Sequence, residues 1–302
     1  MYAKTRSLYV LTVLCLLPML ARAAVLPRHD PVPGGVAIVP LGLKTMEPPV
    51  VQSAEGPVMV VRHREQWTAV VGIPLTAQLG IKMLTLKQGQ DVDRRWTFTV
   101  REKQYEEEWI TLKNPRMVNP TPDDLDRIRR DRTKMQAALA QHTPSVFADF
   151  SFVPPVQGRW SSPFGLRRYF NGQPRRPHSG LDIAAPEGTP VRAPAPGRVV
   201  ETGDYFFNGK TLFLEHGQGL VTMYCHLQRI DVEPGQMVKQ GETMGAVGQT
   251  GRVTGAHLHW SVSLNRTMVD PVLFLPEAVV AKHQAQDKSA TPELKDERAG
   301  SK

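Results

Sequence analysis

Two histidines one residue apart, His257 and His259, sit in a phrase that alternates between polar and apolar, Gly255-Ala256-His257-Leu258-His259-Trp260-Ser261-Val262-Ser263-Leu264. Successive side chains of a strand point to opposite faces. His257, His259, Ser261 and Ser263 therefore share one face, and Leu258, Trp260, Val262 and Leu264 share the other, which reads as the core side. Upstream, His178-Ser179-Gly180-Leu181-Asp182 adds an imidazole and a carboxylate, and Leu220-Val221-Thr222-Met223-Tyr224-Cys225-His226-Leu227 adds another histidine. Alternation in this last run predicts Thr222, Tyr224 and His226 on one face and Val221, Met223, Cys225 and Leu227 opposite. Imidazole nitrogen plus carboxylate oxygen is the ligand chemistry of a catalytic zinc, with three protein ligands and one position left for water. One carboxylate and two neutral histidines leave net positive charge on the ion, which lowers the pKa of a coordinated water from about 15.7 to about 7. Spacing alone leaves open which three residues are the ligands.

Each phrase by itself is weak, because H-x-x-x-D arises by chance and often marks a surface pair. His216, in Glu215-His216-Gly217-Gln218-Gly219, falls at an expected hairpin turn and is assigned no chemistry. His29 and His63 stand among basic neighbours and read as solvated surface histidines. Taken together and in order, H-x-x-x-D, Y-x-H-L and G-x-H-L-H resemble the lysostaphin-type (LytM-like, β-lytic) zinc metallopeptidases of bacterial cell walls. The resemblance runs from about Ser161 to Pro271 and includes the glycine phrases Pro186-Glu187-Gly188-Thr189-Pro190-Val191 and Gly248-Gln249-Thr250-Gly251. It implies one Zn2+ per chain held by His178, Asp182 and His259, with His226 and His257 as unligated catalytic histidines. The reaction it implies is hydrolysis of peptide cross-links in peptidoglycan by a zinc-activated water. One of His226 and His257 would take the proton from that water and the other would stabilise the oxyanion. Tyr224, on the predicted His226 face, is a candidate either to orient substrate or to pack across strands.

Two other classes compete. Some relatives of this family have lost ligands and act as non-catalytic activators of cell-wall amidases; here all the matched ligands and both extra histidines are present. Val232 to Glu242 resembles a lipoyl- or biotinyl-carrier hairpin, but Lys239 lacks the directly flanking methionines or acid that such a carrier needs. For the bond cleaved, a D-alanine to diamino acid cross-link is expected and a glycine bridge is the alternative.

The elements that must position these residues follow from the rest of the chain. Met1 to Ala23 has the parts of a secretory signal: Lys4 and Arg6, an apolar run from Leu8 to Leu20, and Ala21-Arg22-Ala23 as the cleavage site. Its removal lowers the net charge from +8 to +5 and leaves Cys225 as the one cysteine, so no internal disulfide forms and a buried structural thiol is expected. Short, evenly spaced runs at Val36–Val39, Val58–Val61, Trp67–Val71, Met83–Leu86 and Trp96–Val100 argue for a small β-sandwich. Its layout is similar to the N-terminal β domain of some Gram-negative members of the family. Thr121, Pro122, Asp123 and Asp124 start a helix that should run to about Gln141 with a narrow stripe of Leu125, Ile128, Met135 and Leu139. Beyond Ser151 come short strands at 191–200, 211–215, 220–226, 237–247 and 257–264. Arg167, Arg168, Arg175 and Arg176 precede His178 in a loop suited to line a groove and meet substrate carboxylates.

The expected architecture is thus mainly β. A signal peptide (1–23) leads into an N-terminal β-sandwich (24–118), a connecting helical linker (119–150), a C-terminal antiparallel β peptidase domain (151–276) and a disordered tail (277–302). The expected partner is peptidoglycan, with no nucleic acid, no stable membrane insertion after signal cleavage and an unspecified regulatory protein. The expected location is outside the cytoplasm, in the periplasm. The N-terminal domain, with no chemistry of its own, is a candidate cover for the groove.

Overall fold

A computed structural model describes residues 25–88, 91–144 and 150–290. The signal-peptide segment and residues 291–302 of the expected tail lie outside the described residues.

The N-terminal part forms a three-stranded sheet, in the order Val36–Pro40, Gln66–Gly72, Met59–His63, and a four-stranded sheet, in the order Gly56–Pro57, Val51–Ser53, Gly80–Gln88, Asp91–Val100. Ala37, Val39, Val60, Ala69 and Val71 face Val51, Leu84 and Val100 across the sandwich. The opposite face of the same sheet sends Val36, Met59, Val61 and Val70 into the core that holds Leu181, Tyr224 and Trp260. Buried on both sides, these strands are apolar at successive positions rather than at alternate ones, which is why Val36-Ala37-Ile38-Val39 reads as an unbroken run.

The C-terminal part is built on a ten-stranded sheet whose main path runs Met237–Val238, Gly197–Tyr205, Gly209–Gly217, Leu220–Ile230, His257–Leu264, Leu181–Ala184, Arg159–Ser162. Two expected strands are each split. Pro194 and Pro196 separate Pro190–Arg192 from Gly197–Tyr205, since proline cannot donate to a ladder. A turn at Gly241, with φ +81°, separates Met237–Val238 from Thr243–Val247.

The helix Pro122–Leu139 starts as expected, with Thr121 and Asp124 forming a capping box. It ends two residues short of Gln141. Met135, Ala138 and Leu139 cover Val221, Met223 and Cys225, so the helix roofs the outer face of the Leu220–Ile230 strand. The chain from Glu277 to Ala290, expected to lose order from about residue 281, is a helix. It lacks an apolar stripe, but alanines favour the helix, Val280 is buried and the His283 ring stacks on Trp160 at 4.2 Å. Among the described residues no helix is long and apolar enough to cross a membrane.

Candidate metal centre

Strand register creates the site. Leu181–Ala184 runs antiparallel to His257–Leu264 with Asp182 opposite His259 and Ala184 opposite His257. Directly opposed residues share a face, so the carboxylate and the imidazole come together without further adjustment. His178 is pinned just before the strand, its N–H donating to the Leu166 carbonyl and its own carbonyl accepting from Gly165, both at 2.8 Å. Gly180 permits the close approach between them: a Cβ there would stand 2.5 Å from the Trp260 oxygen and 2.8 Å from His259 Cε1.

Three donor atoms converge. His178 Nε2 lies 2.9 Å from Asp182 Oδ1 and 2.9 Å from His259 Nδ1, and His259 Nδ1 lies 2.7 Å from Asp182 Oδ1. All three residues are buried. His178 Nδ1 donates to the Pro163 carbonyl at 2.8 Å, which leaves the Nε2 lone pair facing the cluster. His259 Nε2 is held by Ser261 Oγ at 2.9 Å, so its Nδ1 faces inward. Partners on the far ring nitrogen fix tautomer and orientation in this way at metal sites. Burial pushes His259 down to about 4, against the pull of Asp182, so the ring is neutral and able to coordinate. Burial alone would raise Asp182, but its contacts with His178 and His259 hold it well below the usual carboxylate range. Donors around a tetrahedral zinc, at about 2.0–2.1 Å from the ion, stand about 3.3 Å apart. The three atoms need to separate by only a few tenths of an ångström to admit one, so this group can hold a metal ion.

His226 and His257 form the second half of the cluster, their ring centroids 4.8 Å apart. His257 Nε2 lies 3.9 Å from Asp182 Oδ1, and its Nδ1 donates to the Gly255 carbonyl at 2.9 Å. His226 Nδ1 donates to the Thr250 carbonyl at 2.8 Å. Both rings thus carry their proton on Nδ1 and present a bare Nε2. His226 is pushed down to about 3 by burial and by the nearby His257 and His259, so it is neutral.

His226 does not get there by alternation. Tyr224 pairs with Trp260 and is fully buried, its hydroxyl 2.7 Å from Thr222 Oγ1, so the Thr222 and Tyr224 face is the core. Tyr224 is therefore a packing residue without access to substrate. His226 has φ +65°, in a bulge where the register shifts between Lys210 and Leu212, and this left-handed backbone turns its ring out of the core pattern. Its N–H is held by the Asn208 carbonyl at 2.8 Å. Cys225, predicted on the face opposite His226, pairs with His259 and so lies on the side of that histidine. It is nonetheless a structural thiol: it is buried, accepts from Asn208 Nδ2 at 3.1 Å, and burial pushes it up to about 12.

Residues 176–271 match Peptidase family M23, and residues 29–103 match the Peptidase family M23 N-terminal domain. A solved structure from Pseudomonas aeruginosa assigned to peptidase M23 is 43% identical with TM-score 0.69, the superposition covering 82% of this chain and 95% of that one. The chain belongs to peptidase family M23. Among curated M23 relatives, the DD-carboxypeptidase/endopeptidase Mpg of Neisseria meningitidis is 42% identical over 123 residues, 41% of this chain and 28% of that protein. The peptidoglycan DD-endopeptidase ShyA of Vibrio cholerae is 37% identical over 146 residues, 46% of this chain and 34% of that protein. The matched region is thus about a third or less of the length of these relatives.

Two residues next to the M23 cluster carry no sequence signal of their role. Arg168 Nη2 donates to Asp182 Oδ2 at 2.7 Å and its Nε to Glu108 Oε2 at 2.7 Å, while Ser162 Oγ bridges Glu108 and Arg168. Arg168, expected to line the groove, instead braces the carboxylate from behind. Glu108 reaches it because the Glu107–Ile110 strand adds parallel to Arg167–Phe170. Both residues lie outside the stretches matched to the family.

Proposed function

We propose that this protein is an exported, periplasmic, zinc-dependent endopeptidase that hydrolyses peptide cross-links of peptidoglycan, with the D-alanine to diamino acid bond as its target. The observation that carries the reading is the convergence of five side chains from three separate stretches of chain on one small region. Three of them form a donor set suited to zinc and two are imidazoles whose Nδ1 is tied to a backbone carbonyl. The naming of ShyA as a peptidoglycan DD-endopeptidase and of Mpg as a DD-carboxypeptidase/endopeptidase supports the substrate class.

In this reading His178 Nε2, Asp182 Oδ1 and His259 Nδ1 hold the ion. Bound zinc supplies a Lewis acid for the scissile carbonyl and makes water acidic enough to attack at neutral pH. His226 and His257 are the catalytic pair. One Nε2 would accept the proton from the attacking water and pass that same proton to the departing amine, while the other ring would lie beside the developing oxyanion. Their Nδ1 bonds to Thr250 and Gly255 keep both rings in the accepting tautomer before the reaction. The presence of every one of these groups sets the catalytic reading ahead of an amidase activator, which needs none of them.

Digestion of purified sacculi tests this, with mass spectrometry of the released muropeptides and a chelator control. Release of uncross-linked stem peptides that stops with chelator and returns with zinc is the expected result. Intact sacculi in the presence of zinc-loaded protein would remove the peptidase assignment.

A further inference from the structure

Arg252 follows the Thr250 and Gly251 turn whose carbonyl fixes His226, and its N–H is tied to the Phe207 carbonyl at 2.8 Å. Its guanidinium carbon lies 4.2 Å from the Phe207 ring centroid and 4.6 Å from that of Phe170, so aromatic rings cover the planar head. Among the described residues the one polar contact of that head is a long one, Nη1 to the Met117 carbonyl at 3.4 Å. Among the described residues no carboxylate lies within ion-pair distance of it. The charges that act on it are those of Arg168 and Arg175; burial first, then these two, pushes Arg252 down to about 10. Arg168 is committed to Glu108 and Asp182, and Arg175 Nη2 to the Val118 carbonyl and Gln173 Oε1.

A half-buried cation without a counter-ion and beside like charges is costly. Its rings also make it rigid, with most of its five N–H donors unspent, which is the condition in which a guanidinium takes a carboxylate with two parallel bonds. Arg252 adjoins the turn that sets His226 and lies within electrostatic reach of Arg168, which braces Asp182.

We propose that Arg252, clamped between Phe170 and Phe207, is a substrate subsite that binds a free carboxylate of the peptidoglycan stem peptide, displacing the weak Met117 carbonyl contact. This rests on the peptidoglycan reading above and adds to it a specific recognition element: stem peptides carry ionised carboxylates, which a glycine bridge lacks. Selectivity follows directly, because amidating that carboxylate removes the charge and one of its two acceptor oxygens.

The test is calorimetric binding of two soluble stem peptides to the zinc-loaded full chain, one with its carboxylates free and one with them converted to carboxamides. Wild type is expected to bind the acid form about tenfold or more tightly, the scale of one charge-assisted bidentate contact. In Arg252→Gln the acid-over-amide ratio should fall to within about twofold, and Arg252→Lys should restore part of it. Equal binding of both peptides by wild type overturns the subsite, with no variant needed. So does a ratio unchanged in a folded Arg252→Gln protein. Because binding is read without turnover, acid-selective binding in a protein that leaves sacculi intact would retain the subsite while the endopeptidase assignment fell.

Discussion

Arg168 donates through Nη2 to Asp182 Oδ2, the carboxylate oxygen that His178 and His259 do not touch. That division of labour fixes the plane of the carboxylate and turns Oδ1 toward the two imidazoles. Glu108 holds the guanidinium in turn, with Ser162 closing the ring of contacts.

Removing the brace should loosen the site more than it destabilises the fold. Partners of this kind are worth about 10- to 100-fold in metal affinity. Arg168→Ala is expected to weaken zinc binding by that range and Glu108→Gln by less, measured by competition with a chromophoric chelator. Affinities within about twofold of wild type in both variants would mean that Asp182 is held by the imidazoles alone.

Gly180 is a tight backbone approach beside two of the donor residues. A methyl there meets the Trp260 carbonyl, Ser261 Oγ and His259 Cε1, all within 2.8 Å, and two of those neighbours are strand backbone or a buried ring. Gly180→Ala should therefore cost about 1–3 kcal/mol of stability and push His259 away from His178. A lower melting temperature together with weakened zinc binding is the expected pair of results. A shift in melting temperature with zinc affinity intact would place the strain elsewhere.

The proposed division between ligands and catalytic pair makes opposite demands on two kinds of variant. His226→Asn suits the left-handed backbone at φ +65°, which asparagine tolerates better than most residues. It should lower turnover by about 10²- to 10⁴-fold while zinc stays bound at one ion per chain. His259→Asn should lose the ion as well as turnover. Loss of zinc from His226→Asn would reassign that histidine to the metal.

Much of this site is legible in the sequence, for a definite reason. The strand His257–Leu264 alternates strictly, and its pairing with Leu181–Ala184 needs only register to bring Asp182 to His259. The N-terminal strands are legible as well, because apolar runs of four or five residues between turns are too short for helices and too apolar for loops. His226 follows from the resemblance but not from periodicity, since a bulge inserts one residue and reverses the facing that counting by two assigns. Glu108 cannot be found this way: Glu107-Glu108-Trp109-Ile110 carries no buried stripe, and its partner strand lies some sixty residues away. The shared core is hidden for a related reason. Val36 and Met59 are as apolar as residues of a self-contained sandwich would be, and only the fold reveals that they pack toward Trp260.

His216 offers a test that is independent of the metal. No chemistry is expected of it from its sequence position, and the structure gives it a packing role: it is fully buried, with Nδ1 donating to the Pro196 carbonyl at 2.8 Å and Nε2 facing Thr222 Oγ1 at 2.9 Å. Burial pushes it from an ordinary 6.5 down to about 4. Above about pH 6.5 the ring is neutral whether the chain is folded or not, and it contributes no pH dependence. Between there and about pH 4 the unfolded chain takes up a proton that the folded one refuses, so stability falls as pH falls, by about 2–3 kcal/mol at pH 4.5. His216→Gln can still donate to Pro196 and has nothing to titrate. In urea unfolding of the metal-free protein, the stability gap between wild type and His216→Gln should shrink by that amount from pH 7 to pH 4.5, because contributions of other groups cancel in the difference. Parallel pH profiles for the two proteins would mean that the buried imidazole finds room for its second proton in the native state.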